Sequence, residues 1–460
     1  MKVQLRVRFV DDADTQDVSS MIELADEVSI EGLGLSLADG KALLSWVQRL
    51  VVQRQVAARN CAQAACPRCG KPRSVKDHHS VTYRSLFGKV SARVTRWMPC
   101  AGCGRGAAPA PSGQRWVAAE LLYVQARLAA TLPYARCFEI LDLLLPSGAA
   151  AAPSTVRQRA LGAGQRLDVQ GLAARPTDAV VRAGAATKVC IGMDGGYVRH
   201  CHPGRCHTRY RKHGAADFEV VAGRLLGHGA TRSVAFVRSA DPHSERRVRA
   251  LVAPYAQSLE IFTDGDVLLR SWQESTAPKQ THILDWYHLR RRVDNLDRLL
   301  HRREVGQQLR PRVHDRLSML DRNLQWRLWH GRGLEVMRRL RIMLLILDRR
   351  SIRGKAMAVA LRKAIVELHE YLQNNADSLP HYAERWRQGQ RISSAFAESA
   401  VNQIIDKRMS KSQQMRWDPR SAHELLQVRV RLLDGQLRAD FQNWYPGMPS
   451  NEPTWRLAAA

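Results

Sequence analysis

Nowhere in this 460-residue chain is there an apolar run long enough to cross a bilayer. A membrane helix needs about 20 consecutive apolar residues, and the longest stretch, IMLLIL at 342–347, falls far short. The opening MKVQLRVRFV lacks the apolar core of a secretory signal. Acidic residues are also scarce: 43 Asp+Glu stand against 71 Lys+Arg, a formal net charge of +28. That balance favours polyanions, nucleic acid first among them. A membrane-surface protein would want an amphipathic helix with one polybasic face, and none stands out. The nine cysteines are an odd number, which excludes a complete set of internal disulfides. Four of them form two CxxC pairs, which read as metal ligands in a reducing compartment. The expectation is a cytoplasmic, nucleoid-associated protein with no membrane partner. Internal repeats are absent, and the length allows about two to four domains.

Residues 1–60 open on an alternating run, VQLRVRF, that reads as a strand. Ser36 then reads as an N-cap, with Asp39 three residues on, for a helix to about 58. Residues 61–110 carry Cys66, Cys69, Cys100 and Cys103 around two β-like runs, VTYRSLF and KVSARVTRW. Two knuckles joined by a hairpin give a zinc ribbon holding structural Zn²⁺ on four thiolates. A linker-like stretch follows at 107–113. Residues 114–170 read as helices, and the last opens with Ser154, Thr155 and Arg157 after a Pro/Gly/Ala turn. A helix entered that way fits the reading helix of a helix-turn-helix, with Ser154 as its N-cap; a plain connecting bundle is the alternative.

After a second linker, 172–186, the pattern changes. KVCIGM, FEVVAGRLLG and SVAFVRS read as a meander, and LEIFT and THILDW as parallel strands with crossover helices. Three antiparallel strands followed by βαβ units is the order of an RNase H-like α/β sheet, here spanning 187–288. The next stretch, 289–392, is almost all helical and dense in arginine, with 18 Arg between Arg290 and Arg353 against seven Asp/Glu. It reads as an all-α insertion. Closing helices occupy 393–440, and 441–460 is a Pro-rich tail.

Asp194 and Asp264 each end an apolar run and are each followed by Gly, while Glu398 lies on a late helix. A lone Asp-Gly is usually a turn. Two at strand ends, with an acid on the closing helix, are what two Mg²⁺ (or Mn²⁺) ions need for phosphoryl transfer. Asp266 and Asp285 are rival acids, with Asp285 a candidate auxiliary ligand. His288, one turn beyond it, could touch metal or phosphate, or simply pack. Five potential ligands crowd His200–His207, either a second zinc site or a phosphate-contacting loop. Lys407, Arg408, Lys411 and Arg416 follow Glu398 and could hold DNA backbone.

Together MDGGYV, FEVVAGR, FTDGD, ILDWYHL, LWHGR, RISSAFAESAVNQIIDKRM and QMRW resemble the Asp-Asp-Glu transposases of bacterial insertion sequences, closest to the Kra-type group and distantly akin to Mutator-like transposases. The likeness spans about 190–435, and PYARC and STVRQR extend it upstream. The Cys- and His-rich segment after MDGGYV departs from it. The resemblance implies a catalytic triad of Asp194, Asp264 and Glu398. It implies binding of terminal inverted repeats, Mg²⁺-dependent cleavage, joining of 3′-hydroxyl ends to target DNA, and a dimer or higher oligomer on DNA. The rivals are a non-catalytic zinc-ribbon regulator and an RNase H-like nuclease or resolvase that cuts without joining.

Overall fold

The structure, a computed structural model, describes residues 2–9, 17–23, 29–103, 116–146, 148, 151–173, 188–200, 217–227, 230–255, 259–265, 281–349, 351–352, 354–410 and 415–449. The fold is mixed α/β, and the chain divides into two compact units, 1–163 with 435–460, and 164–434.

In the first unit, β1 (Lys2–Arg8) and β2 (Asp17–Glu23) pair antiparallel. Helix α1 (Leu37–Ala62) starts where the sequence places it: the Ser36 side chain accepts from the Asp39 amide at 3.1 Å, and Asp39 accepts from the Ser36 amide in return. This reciprocal cap satisfies two amides a helix start otherwise leaves bare. Val52 and Val56 of α1 pack on Val90 and Ala92 of the hairpin β3 (Val75–Ser85) and β4 (Gly88–Trp97). Gly88 sits at φ +107°, a conformation side chains resist, so the hairpin turns there.

Helices α2 (Ala119–Ala129), α3 (Tyr134–Leu144) and α4 (Pro153–Ala173) follow. The tight link falls between α2 and α3. Residues 145–152 joining α3 to α4 make a longer connection than the ~3–4-residue turn of a helix-turn-helix. Ser154 is not the N-cap of α4. The helix begins one residue earlier, at Pro153, where a missing N–H costs nothing. Phe441, read as the start of the tail, is buried and meets Tyr123 edge-on with ring centroids 5.6 Å apart.

The second unit is built on a five-stranded mixed sheet in the order β7-β6-β5-β8-β9. Its strands are the five runs read in the sequence: β5 (Val189–Arg199), β6 (Asp217–Gly227), β7 (Ala230–Val237), β8 (Leu259–Thr263) and β9 (Thr281–Leu284). β5, β6 and β7 form an antiparallel meander; β8 and β9 run parallel to β5. Every residue of β8 is buried, as expected for a central parallel strand covered on both faces. Helix α5 (Ser244–Val252) lays Val248 and Val252 on the core of Val189, Ile191, Val221 and Phe236.

A run of helices follows: α6 (Trp286–Leu300), α7 (Arg303–Gln308), α8 (Pro311–Asp321), α9 (Leu324–Trp329), α10 (Gly333–Leu347), α11 (Ala356–Asn374) and α12 (Tyr382–Arg387). They enclose their own core, which includes Leu296, Leu340, Leu361 and Leu368. Helix α13 (Ala395–Val401) continues as a π-helical stretch to Ser410. The single C-terminal helix expected over 422–437 is two, α14 (Pro419–Leu433) and α15 (Leu437–Trp444), separated at Gly435 with φ +72°.

Candidate functional site

β5 and β8 pair in parallel with Gly192 opposite Phe262. Carrying that register two residues forward sets Asp194 beside Asp264. β8 pairs β9 with Thr263 opposite Leu284, so a step of one residue sets Asp264 beside Asp285. The register therefore puts three acids in one row across three adjacent strands: Asp264 and Asp285 just past the ends of β8 and β9, but Asp194 midway along β5 rather than at the strand end its sequence suggested. Glu398 arrives from above. Helix α13 lies directly on β5 at Gly192, where any Cβ would come within 2.9–3.0 Å of Phe396 and Ala397. Glycine is needed there for close approach, and the residue after Ala397 is Glu398.

Electrostatics agree with this convergence. The Asp194 carboxyl is held above its ordinary value, first by burial. A hydrogen bond from the Gly195 amide, at 2.7 Å, opposes that rise. The negative charges of Asp264 and Glu398 add to the rise, and His288 lowers it. Asp264, Glu398 and His288 thus each lie close enough to act on Asp194. His288 sits half-buried on the first turn of α6, and Glu398 is exposed. The three acids are not packed as tightly as ligands of a single ion. Among the described residues, the groups whose ligand atoms all lie within 4.8 Å of one another are the four cysteines, and Asp297 with His301 and Asp321.

Asp285 has a different position in the row. It is 1% exposed, and both of its oxygens are already engaged. Oδ1 accepts from the amides of Tyr287 and His288 and caps α6. Oδ2 accepts from the amide and hydroxyl of Ser394, the N-cap of α13. Asp285 therefore ties together the helix start bearing His288 and the helix start bearing Glu398.

Side chains from the helical run clasp the same strand ends. The Tyr371 hydroxyl donates to the Asp264 carbonyl at 2.7 Å, and the Tyr382 hydroxyl donates to the Leu284 carbonyl at 2.8 Å. Gly265, at φ +92°, lets the chain turn beneath Tyr371, whose ring would stand 2.7 Å from an added Cβ. Arg292 lies 4.1 Å over the Tyr371 ring. Arg385 pairs with buried Glu260 of β8 at 2.8 Å. None of these had a motif to announce it. The signal available was only their place in the helical stretch, with Tyr371 and Tyr382 buried on apolar faces.

The four cysteines do come together. Cys69 Sγ lies 3.6 Å from Cys100 Sγ, close to the ~3.8 Å edge of a tetrahedron with ~2.3 Å Zn–S bonds. Backbone amides of Arg68 and Cys69 pull the Cys66 thiol down to about 6, while hydrogen bonding with Cys69 pushes Cys103 up to about 12. Gly70, at φ +68°, closes the first knuckle, and its amide donates to the Cys66 carbonyl at 2.8 Å. The site fits a zinc ion: four sulfurs in tetrahedral reach, with amides directed at thiolate.

The candidate DNA contacts divide. Ser154 and Arg157 are exposed on the first turn of α4, with Thr155 half-buried between them, and Lys407 and Arg416 are exposed. Arg408 is not a surface contact: it is fully buried, its guanidinium 4.9 Å over the Trp417 ring. It follows buried Ile404 and Ile405 by four and three residues and so shares their inward face. Lys411, Asp266 and residues 201–207 lie outside the described residues; His200 is described and bridges to Trp417. Among the described residues no helix is long and apolar enough to cross a membrane. No protein-family model matches this chain, and no curated protein matches it.

Proposed function

We propose that this protein is a DNA transposase with an RNase H-like Asp-Asp-Glu active site in residues 164–434. The observation that carries the reading is one of topology. The sheet order β7-β6-β5-β8-β9 sets Asp194, midway along β5, beside Asp264 at the end of β8, and α13, packed on β5 at Gly192, carries Glu398 near enough for its charge to act on Asp194. Three carboxylates offer hard oxygen donors suited to Mg²⁺ or Mn²⁺. Phosphoryl transfer of this kind uses two such ions roughly 3.5–4 Å apart, held between carboxylates from separate elements. Bound there, such ions acidify water and stabilise charge on attacking and leaving oxygens.

The chain's own residues do the rest. Asp194, flanked by Asp264 across the sheet and by Glu398 from α13, would hold both ions, with Asp264 and Glu398 completing one each. His288, near enough to act on Asp194, would contact metal or the scissile phosphate. Asp285 and Tyr371 fix the elements bearing these groups, so that catalysis rests on positioning and charge rather than on a covalent protein nucleophile. DNA enters as the substrate through the +28 charge and the arginine-rich helices 289–392. The helices at 114–170 and the cysteine knuckles would recognise the element's terminal inverted repeats. Joining two ends to target DNA calls for at least two protomers.

A joining assay separates this reading from its rivals. Pre-cleaved element ends with free 3′-hydroxyls, incubated with plasmid and Mg²⁺, should become covalently linked to the plasmid. A protein that cleaves but never joins is a nuclease of the same fold. One that binds and does neither is a regulator.

A further inference from the structure

Away from the strand ends, the helical run holds a second cluster of ligand-type side chains. Asp297 and His301 stand one turn apart where α6 ends, on the same side of the helix. Asp321 is the last residue of α8. One ligand atom from each lies within 4.8 Å of the other two. His301 Nδ1 is 3.2 Å from an Asp297 carboxylate oxygen.

The third member is the unusual one. Asp321 is 94% buried, being 6% exposed, and its Oδ1 is shut off from solvent with no hydrogen-bond partner. A buried carboxylate oxygen with no donor loses its hydration without replacement, which proteins rarely tolerate. The stretch Arg290–Arg353 carries 18 arginines, yet among the described residues none pairs with Asp321 or Asp297. Two carboxylates and an imidazole share a corner in the most basic part of the chain without a cation between them.

We propose that Asp297, His301 and Asp321 form a binding site for a single divalent transition ion of the zinc type. Two carboxylates and one imidazole are a standard donor set for such an ion, and three protein ligands leave a fourth position for water. Asp297 and His301 are about half exposed, so the site is open on one side. The buried Asp321 oxygen would gain the partner it lacks. The ion would staple the end of α6 to the end of α8, and α6 is the helix whose other end holds His288 and the Asp285 cap. The site is independent of the transposase reading and survives its failure.

The test is zinc content of the full-length protein after dialysis at micromolar free zinc. An Asp194→Asn, Glu398→Gln background removes uptake at the strand-end acids. The expected parent value is two zinc ions per chain, one on the cysteines and one on this site. His301→Gln, at an exposed position, should drop it to one, as should Asp321→Asn. Cys66→Ser should remove the other ion, and His301→Gln with Cys66→Ser should leave none. In calorimetry, zinc should raise the melting temperature of the Cys66→Ser protein and not of the double variant. A parent with one zinc, or His301→Gln and Asp297→Asn proteins that fold by circular dichroism and still hold two, would overturn the site. The first result would mean that Asp321 is kept neutral by a proton shared with Asp297.

Discussion

At the scale of single residues the site is a collection of charges that oppose one another. Asp194 has its carboxyl raised by burial, and further by Asp264 and Glu398. A group whose folded pKa lies above its unfolded value favours folding while protonated. Its contribution is full below the unfolded value, near 3.8, and is lost as pH climbs through the folded one. In metal-free protein, Asp194→Asn should therefore raise the melting temperature at neutral pH and do little near pH 3. The same change should abolish cleavage, by at least ~10³-fold if both ions lose their shared ligand, and leave DNA binding intact. Calorimetry in chelator at the two pH values, beside a binding titration, checks both. Equal melting temperatures at neutral pH would mean that the acids do not crowd one another.

Asp285 gives the second prediction at this scale. With both oxygens committed to helix starts, it acts by placing His288 and Glu398. Asp285→Asn keeps an acceptor for the α6 amides but turns a donor toward the Ser394 amide, leaving that buried N–H without its acceptor; it should cost about 1–3 kcal/mol of stability and lower the cleavage rate. It should leave unchanged the Mg²⁺ concentration that gives half-maximal rate. A rise in that concentration would make Asp285 a metal ligand.

At the scale of elements, what the sequence revealed follows from what each element needs. Ser36 with Asp39 announces α1 because a capping box is local, made by residues three apart. The five strands were legible because continuous apolar runs such as LEIFT have no other good fate than a covered sheet. Asp194 and Asp264 could be singled out because each breaks such a run at its end. The four cysteines were legible from spacing alone. What was not legible depends on contacts far apart in sequence. Ser394 and Asp285 are 109 residues apart, and Tyr371 and Asp264 are 107 apart. Arg408 reads as a surface cation by residue type, yet it stands three and four residues after Ile405 and Ile404, on the buried face of the helix, where its distant partner Trp417 helps make a cation tolerable. The α4 start was misplaced by one residue because Pro153 serves as its first turn.

The cysteine knuckles supply the prediction belonging to this scale. Cys66→Ser should lose the ribbon's zinc and destabilise the β3/β4 hairpin, with a melting transition that no longer responds to chelator. Cleavage of a short, pre-bent substrate should fall less than binding to long DNA, because the acids lie in the other unit. Unchanged chelator sensitivity would place the structural metal elsewhere.

At the scale of the whole molecule, the +28 charge favours polyanions, and the proposed DNA binding should carry its mark. Affinity should fall steeply with salt, on the order of 10³-fold or more between 50 and 200 mM if six or more phosphates are contacted. Fluorescence anisotropy against salt reads the slope directly; a flat response would argue against a backbone-clamping role for the arginine-rich helices. The arrangement also gives a structural role to the large helical body between β9 and α13. Its Tyr371, Tyr382 and Arg385 hold β8 and β9 from the side, so the insertion braces the acids as well as carrying positive charge.

The central claim is that Asp194, Asp264 and Glu398 form one metal-dependent nuclease site. Its most direct test is cleavage of labelled DNA carrying the ends of the element that encodes this chain, with and without Mg²⁺, by wild type and by Glu398→Gln. The account predicts Mg²⁺-dependent cutting at the element end by wild type and none by the variant, with both proteins binding equally. Cutting by Glu398→Gln at the wild-type rate would contradict it.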